Sequence, residues 1–335
     1  MKGLPLLLSV FRNESDFVLV PHVSPDGDSI GSCLALGLAL VRRGKKAQVA
    51  LDEAFPSRYG FLPGAVEVRP SSPKVGRYIV VTLDCTDLSR CGVRPELIQG
   101  ASAIVNIDHH VSNSFFGDYQ LVDSAASAVG EIVFDLLQEL GWGITAGEAT
   151  CLYTAIITDT GSFRFENTTS RCLEVCASLV RAGARPSRIA EEVYETASLP
   201  ATVLLGKALS SLRLDDTGRV AWMTISAADF ESAGASNEDT EGIVNYARMV
   251  EGVEVGVLFK ELGDRQVRVA LRSRRSVNVS RIASLFGGGG HPRAAGCTVA
   301  GSVEDAYSAV IPEVLRAVKE MDKAVGGVVR DAAES

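Results

Sequence analysis

Short apolar runs alternate with segments of helical periodicity through the first half of the chain. The apolar runs are typical of buried β-strands and cover residues 17–21 (FVLVP), 47–51, 78–83 (YIVVTL) and 103–107 (AIVNI). Helical patterns cover residues 28–43, 127–140, 145–158, 170–181 and 187–196, and the first residues also predict a helix. Apolar strands separated by helices are typical of a parallel sheet that is covered on both faces. We therefore predict an α/β fold with a doubly wound, mainly parallel sheet.

Two of these helices carry specific signals. Leu34, Leu38 and Val41 fall on one face of the helix at 28–43, and Gly44 is expected to end it. Thr145 and Glu148 have the spacing of a capping box, which predicts the start of the helix that runs to about Thr158.

The second half has a different pattern. A turn signal at 215–218 precedes a strand at 219–225, and strands at 253–262 and 266–274 are separated by a hairpin signal. A glycine-rich loop, a short strand and a helix from 303 to about 325 follow. We predict a smaller α+β domain here, with boundaries of 1–190 for the first domain, 191–215 for a helical linker and 216–335 for the second domain.

Composition limits the class of protein. The chain has 335 residues, 46% apolar and 22% charged, which is ordinary globular usage and long enough for two domains. A net charge of −8 argues against binding of long DNA or other long nucleic acid. Seven cysteines without a CxxC motif indicate free thiols, and the longest nearly apolar stretch, 30–41, is too short to span a bilayer. The expectation is a cytoplasmic protein with no membrane association.

Polar clusters directly follow the apolar runs of the first half. They are His22 with Asp26 and Asp28 (HVSPDGDS), Asp84 (LDCTD), Asp108 with His109 and His110 (DHH), and Asp159 (ITDTGS) at the end of the capped helix. Because the carboxyl ends of parallel strands share one edge of a sheet, these clusters are expected to meet in one crevice.

Such a cluster is suited to divalent cations. Close carboxylates repel one another and stay ionised when cations lie between them, and carboxylate with imidazole favours Mn, Fe, Co or Zn. Asp26 and Asp28, expected in an extended stretch, would point in different directions and serve two metals. With Asp84 and Asp159 they contribute a charge of −4, which two divalent cations balance. This predicts a two-metal site in which a bridging hydroxide attacks phosphorus. Taken singly, each residue is more often a cap or a surface residue.

A second cluster surrounds four consecutive glycines, Gly287 to Gly290. His291 and Arg293 follow them, and Arg272, Arg274, Arg275 and Arg281 precede them. Glycine lets a backbone approach a ligand closely, and the local basic density suggests a phosphate or nucleotide pocket. A flexible turn is the commoner meaning of polyglycine.

The motifs in this order resemble those of the DHH phosphoesterases. The resemblance rests on HVSPDGDSIGS, Leu83-Asp84, Asp108-His109-His110 and Asp159 with its Thr-Gly-Ser neighbours, and residues 287–296 resemble the glycine-rich motif of a DHHA1 domain. Length and layout look most like the nanoRNase/pAp phosphatase group. The resemblance implies an active site in a cleft between the two domains.

The resemblance also implies roles for individual residues. Two Mn²⁺ ions per chain are implied, with Mg²⁺ or Co²⁺ as substitutes: His22 and Asp26 hold the first, Asp28, His109 and Asp159 the second, and Asp84 bridges them. Asp108 would orient a ligand and His110 would face the scissile phosphate, so that Asp84, Asp108 and His110 are the candidate catalytic residues. In the second domain, Arg272, Ser273, Gly289, Gly290, His291 and Arg293 are candidates for substrate binding.

The function implied is hydrolysis of short oligoribonucleotides to mononucleotides and of 3′-phosphoadenosine 5′-phosphate (pAp) to AMP. This joins the activities of an oligoribonuclease and a 3′(2′),5′-bisphosphate nucleotidase in one enzyme. Hydrolysis of cyclic dinucleotides or pApA by the same site is an alternative, as is a nucleotide- or RNA-binding module without catalysis. Inorganic pyrophosphatases of the same family have a different second domain. A homodimer is expected by analogy.

Overall fold

The computed structural model describes residues 4–64, 68–70, 76–263, 265–275 and 277–333, with side chains for all of these except His291 and 323–333. The chain separates into two compact units, Met1–Thr196 and Ala197–Ser335. The domain boundaries inferred from the sequence stay a prediction.

The first unit alternates strands with helices. Its strands are β1 (Asp16–Val20), β2 (Lys46–Ala50), β3 (Val68–Arg69), β4 (Ile79–Leu83), β5 (Ala103–Asp108) and β6 (Tyr119–Val122). Its helices are α1 (Leu4–Asn13), α2 (Gly27–Arg42), α3 (Pro95–Gln99), α4 (Val129–Glu139), α5 (Ala146–Asp159), α6 (Ser170–Arg181) and α7 (Pro186–Ala190). A π-helical turn at Glu191–Glu195 follows α7.

The strands of the first unit form a parallel sheet. Among the described residues the order is β3-β2-β1-β4-β5-β6, and every neighbouring pair is parallel. Strand β1 is central and almost wholly buried. The predicted doubly wound, mainly parallel sheet is confirmed. The two strands that the sequence did not predict, β3 and β6, are short and lie at the sheet edges.

Helix α2 is buried around most of its circumference, because α4 and α5 also pack on it. Gly31 lies so close to α5 that a Cβ on it would stand 2.5 Å from the Cys151 carbonyl oxygen. The predicted apolar face was therefore wrong in part: Leu34 is buried, but Val41 is 56% exposed. A helix covered on several sides does not show its packing through one apolar stripe.

The capping box at the start of α5 is confirmed. The Thr145 hydroxyl accepts from the Glu148 backbone N–H, and the Glu148 carboxylate accepts from the Thr145 N–H at 2.8 Å. Glu148 also forms a two-pronged ion pair with Arg42, the last residue of α2. These contacts fix α5, which ends at Asp159, against α2, whose first turn carries Asp28.

The second unit is α+β, as predicted. Its strands are β7 (Arg213–Leu214), β8 (Val220–Ile225), β9 (Val255–Glu261), β10 (Gln266–Ser273), β11 (Gly289–His291) and β12 (Ala294–Ala300). Its helices are α8 (Leu199–Ser210), α9 (Ala227–Ala233), α10 (Ile243–Met249), α11 (Val279–Ser284) and α12 (Val303–Ala333). In the described part, the sheet order is β11-β12-β10-β9-β8-β7, with β8 and β9 parallel and the other pairs antiparallel. The hairpin of β9 and β10 is confirmed.

Part of the expected glycine-rich loop is an edge strand, β11, which pairs with β12. A Cβ on Gly288 would lie 2.2 Å from the Gly296 carbonyl oxygen, and a Cβ on Gly290 would lie 2.5 Å from that of Ala294. These two glycines therefore allow close packing of backbone on backbone. No atom of the described residues lies within 4 Å of the position that a Cβ on Gly289 would take.

Two further findings bear on the predicted class of protein. All seven cysteines lie in the described residues, and all are free and buried. No described helix combines the length and the apolar character that crossing a membrane requires.

Two glycine substitutions are expected to change stability in opposite directions. Gly31→Ala forces a methyl group against the α5 backbone, and overpacking of this kind costs about 1–3 kcal/mol of unfolding free energy. Gly206→Ala in α8 meets no atom within 4 Å and should stabilise by about 0.5–1 kcal/mol, because alanine favours the helix. Urea denaturation of both variants measures the two changes, and equal shifts would contradict the close packing of α2 on α5.

Candidate functional site

The predicted polar clusters lie at the carboxyl edge of the parallel sheet. His22 follows β1, Asp84 follows β4, and Asp108 ends β5. Strands β1 and β4 are neighbours in the sheet. The chain adds β2 and β3 on the outer side of β1, and it adds β5 and β6 on the outer side of β4. In open α/β sheets, ligands bind in the crevice at such a switch point.

The candidate ligands meet in three overlapping groups. Within each group the ligand atoms lie within 4.8 Å of one another: His22, Asp26 and Asp84; Asp28, His109 and Asp159; and Asp84, His109 and His110. Asp84 links the first and third groups. Its Oδ2 is 3.5 Å from His22 Nε2, and its Oδ1 is 3.6 Å from His109 Nε2. The structure thus brings together all six residues expected to ligate metals.

The donor set fits metal ions. Nitrogen–oxygen gaps of 3.5–3.7 Å are too long for good hydrogen bonds but close to the spacing of about 3.0–3.5 Å between atoms that each lie 2.0–2.2 Å from one cation. Asp84 Oδ1 is buried and accepts no hydrogen bond from any residue that the structure describes. A buried carboxylate oxygen without a donor is costly, and a cation removes that cost.

Both candidate histidine ligands present the same nitrogen. His22 Nδ1 lies 2.7 Å from the Val23 carbonyl oxygen, and His109 Nδ1 lies 3.3 Å from that of Ala126. A proton on each Nδ1 satisfies these carbonyls and leaves Nε2 as the lone-pair nitrogen. In both residues Nε2 is the atom closest to the carboxylates.

Asp26 and Asp28 do not lie in an extended stretch, contrary to the sequence-based expectation. Asp26 is the N-cap of α2, and its Oδ1 accepts from the backbone N–H groups of Asp28 and Ser29, both at 3.1 Å. Asp28 lies in the first helical turn. The cap turns the chain at Asp26, so the two carboxylates still enter different groups.

Asp28 is held by the start of α4. Its Oδ2 accepts from Val129 N at 2.7 Å, and its Oδ1 accepts from Gly130 N at 2.9 Å. Burial nevertheless raises the pKa of Asp28 well above its usual value, and the charges of Asp84 and Asp159 raise it further. In the absence of cations, protons therefore compete for this carboxylate, and a nearby cation favours its ionised form.

Asp159, His22 and His109 also have strongly shifted pKa values. Burial raises the pKa of Asp159 to about 7, and Asp84 adds to the shift. Burial by itself lowers the pKa of His22, but Asp26 and Asp84 outweigh it and raise the pKa to about 11. His109 shows the same balance, with a pKa raised to about 9. Perturbation on this scale is typical of functional sites.

Asp108 and His110 form a pair beside this cluster. Asp108 is fully buried, and its Oδ1 lies 2.8 Å from His110 Nδ1. Burial raises the pKa of Asp108, but hydrogen bonds from His110 and Asn113 outweigh it and hold the pKa below its usual value. Asp108 is thus placed to orient the His110 ring.

Sequence reasoning missed two amide side chains of this site. Asn113 Nδ2 donates to Asp108 Oδ2 at 2.6 Å, and Asn167 Nδ2 donates to Asp159 Oδ2 at 3.2 Å. Asn113 lies five residues after Asp108, and Asn167 lies eight residues after Asp159. The only signal in the sequence is this proximity to a motif.

Strained backbone is concentrated around the cluster. Six non-glycine residues in the described part of the chain have left-handed φ values, and five of them lie in the loops of the site: Ser24, Asp84, Phe115, Ser162 and Phe163. Such conformations cost about 1–3 kcal/mol each and persist where the surrounding structure enforces them, often at functional sites. Asp84, with φ of 63°, is itself one of the strained residues.

In the second unit, Arg272 lies in a positively charged environment. It is half-buried on β10, and burial lowers its pKa, with Arg248 lowering it further and Glu241 opposing the shift. Lys260 on β9 is buried, and its pKa is lowered to about 8 by burial and by Arg268 and Arg272. Several cations close together favour binding of an anion.

The other candidates for substrate binding differ in accessibility. In the β-sheet register, Ala294 pairs with Arg272 on one side and with position 291 on the other. The side chain of His291 lies outside the part that the structure describes. Arg293 and Gly289 are exposed. Ser273 is fully buried, and its hydroxyl has no hydrogen-bond partner among the described residues. Strand alternation directs it to the face opposite Arg272. In this conformation its hydroxyl is not accessible to a ligand.

Comparison with known proteins decides the family. The model of the DHH family N-terminal domain matches residues 16–156, and that of the DHHA1 domain matches residues 219–323. A protein of Thermus thermophilus named bifunctional oligoribonuclease and PAP phosphatase NrnA is 37% identical over 312 residues, which cover 92% of this chain and 90% of the relative. This chain belongs to the DHH family.

Further DHH relatives agree. A protein of Bacillus subtilis with the same name is 29% identical, over 84% of this chain and 88% of its own length. A solved structure, an exopolyphosphatase-related protein from Bacteroides fragilis, matches with a TM-score of 0.88 and 25% identity, over 96% of this chain and 97% of that chain. The resemblance noted in the sequence is confirmed.

Proposed function

We propose that this DHH-family chain is a metal-dependent phosphoesterase that hydrolyses short oligoribonucleotides to mononucleotides and pAp to AMP. The observation that carries the proposal is the three overlapping Asp/His groups linked through Asp84 and His109. They occur in a chain that is similar over nine-tenths of its length to a protein named for these two activities.

The ligand assignment is part of the proposal. His22 and Asp26 would hold one cation, Asp28, His109 and Asp159 a second, and Asp84 would contact both. When bound, these cations, proposed as Mn²⁺ with Mg²⁺ or Co²⁺ as substitutes, would supply a nucleophilic hydroxide and would stabilise negative charge on phosphate oxygens. Four ligating carboxylates match the charge of two such cations.

The chain's own residues bind and orient the substrate. We assign to His110, oriented through Nδ1 by Asp108, a hydrogen bond from its ring to the scissile phosphate. Arg272 binds a second phosphate or the nucleotide end, because its guanidinium has the donors and charge for a phosphate oxygen pair. Gly289, Gly290 and His291 of the edge strand β11 and Arg293 in the turn after it complete this contact, whereas Ser273 would need a rearrangement to contribute.

The proposal is tested with purified full-length protein, its metal content and a substrate panel. With Mn²⁺, we expect release of mononucleotides from RNA dimers to pentamers and of phosphate from pAp, with both lost in excess chelator. A protein that binds no Mn²⁺ and hydrolyses none of these substrates when Mn²⁺ is supplied would overturn the proposal. Cleavage of cyclic diadenylate or pApA at higher rates would move the assignment to the alternative, and binding without turnover would favour a binding module. A homodimer and a cytoplasmic location stay predictions.

A further inference from the structure

We infer that Asn113 is a positioning residue for this reaction, because its buried amide holds both Asp108 and the backbone that follows Asp84. The inference rests on the proposed phosphoesterase function for the reaction that it serves. Its structural content is independent of which phosphate ester is hydrolysed.

The Asn113 side chain is 6% exposed and is bonded on both ends. Its Nδ2 donates to Asp108 Oδ2 at 2.6 Å and to Asn106 Oδ1 at 2.9 Å, and it lies 3.2 Å from the Cys85 carbonyl oxygen. Its Oδ1 accepts from the backbone N–H of Phe115 at 2.6 Å. An amide that is buried and bonded at both ends has one orientation, which makes it a rigid connector.

The first branch leads to His110. Asp108 is fully buried, with one carboxylate oxygen near His110 Nδ1 and the other bonded to Asn113. Fixing both oxygens fixes the plane of the carboxylate. That plane sets the direction of the His110 ring and places the proton on Nδ1, so Nε2 points away from Asp108.

The second branch leads to Asp84. The Cys85 carbonyl lies within bonding distance of two buried amides, Asn113 Nδ2 at 3.2 Å and Asn106 Nδ2 at 3.0 Å. Cys85 directly follows Asp84, whose left-handed backbone is strained. Holding the adjacent peptide keeps Asp84 in that conformation and keeps its carboxylate between His22 and His109.

The test uses Asn113→Ala and Asn113→Leu, which is similar in size to asparagine, and neither variant can hydrogen-bond to Asp108 or to the Cys85 carbonyl. We expect kcat with pAp to fall about tenfold and Mn²⁺ affinity, measured by electron paramagnetic resonance titration, to weaken about tenfold. KM should change less than threefold, since the substrate contacts remain. Thermal unfolding in metal-free buffer reports whether each variant folds.

Thr82→Val is the matched control. Thr82 is buried in the same network and accepts from Asn106 Nδ2 at 3.1 Å, but neither Asp108 nor the Cys85 carbonyl contacts its side chain in the described hydrogen bonds. It should stay within about twofold of the unmodified protein for kcat and Mn²⁺ affinity, even with a lowered melting temperature. Equal losses in Thr82→Val, or wild-type values in both Asn113 variants, would overturn the inference. Weaker Mn²⁺ binding in a protein that hydrolyses none of the substrates would support positioning and reject the proposed function.

Discussion

Replacing Asp84 by asparagine is expected to lower kcat about 1000-fold with both pAp and short RNA. In the part of the chain that the structure describes, Asp84 belongs to two of the three ligand groups, and its Oδ1 is a buried acceptor without a hydrogen bond. The asparagine keeps the size of the side chain but removes the charge that two cations would share. The loss corresponds to about 4 kcal/mol of transition-state stabilisation, which is within the range for loss of metal-ion catalysis.

The stability of the same variant should depend on whether Mn²⁺ is present. Asp84 raises the pKa values of Asp28 and Asp159, in addition to the effect of burial, which shows that the three carboxylates repel one another without cations. In metal-free buffer, Asp84→Asn relieves this repulsion but also loses the attraction of Asp84 to His22 and His109, so its melting temperature should change little. With Mn²⁺, the unmodified protein should gain melting temperature and the variant should gain much less, because ligand binding stabilises the folded state.

Asp87→Asn, in the same loop, is the matched control. Asp87 caps the short 3₁₀ helix at Leu88–Arg90 through the Ser89 N–H and lies in none of the three ligand groups found among the described residues. Its activity and its Mn²⁺-dependent melting shift should match those of the unmodified protein. An Asp84→Asn variant that kept either property would show that the cluster does not hold the metals as proposed.

Much of this site could be predicted because parallel strands impose it. His22, Asp84 and His109 are far apart in sequence, yet each directly follows an apolar run, and the carboxyl ends of neighbouring parallel strands meet at one edge. The position of Asp159 at a helix end could also be predicted, because its helix has a clear capping box at Thr145. The order of these residues in the sequence and their spacing from the apolar runs were sufficient to predict that they lie together.

The supporting amides could not be predicted in the same way. Asn113 and Asn167 are common turn residues, and their bonds to Asp108 and Asp159 depend on three-dimensional distances that no local pattern encodes. Asp28 likewise bonds to Val129 and Gly130, about 100 residues away, at the start of another helix. Ser273 is different, because the two-residue period of a strand already places it opposite Arg272.

The secondary structure could likewise be predicted only in part. Long periodic segments such as α6 at Ser170–Arg181 were predicted at their observed bounds. Helices α9 and α10 have only seven residues each and were not predicted, since so short a segment shows little periodicity. The buried face of α2 was misjudged for a different reason: its neighbours α4 and α5 leave little of its surface exposed.

Replacing Arg272 by glutamine is expected to raise KM for pAp about 30–100-fold with a much smaller change in kcat. Arg272 is half-buried, and the positive charges of Lys260 and Arg248 act on it, so a phosphate bound there would be stabilised by several cations at once. A hydrogen bond to a charged group contributes about 1.5–3 kcal/mol. When a contact is made equally in the ground state and the transition state, its loss raises KM and leaves kcat unchanged. Steady-state kinetics with pAp measure the effect, and hydrolysis of bis(p-nitrophenyl) phosphate, which has no second phosphate, should be unchanged.

Arg268→Gln separates a specific contact from a general loss of charge. Arg268 lies four residues before Arg272 on β10, on the same face of the strand, and is exposed. Arg268→Gln removes the same charge as Arg272→Gln. If Arg272 acted only through long-range electrostatics, both variants would have similar KM values with a similar dependence on salt. We expect Arg268→Gln to raise KM less than threefold, and equal effects of the two substitutions would contradict direct phosphate binding by Arg272. A fall in kcat for bis(p-nitrophenyl) phosphate in Arg272→Gln would instead show that the residue acts at the scissile phosphate.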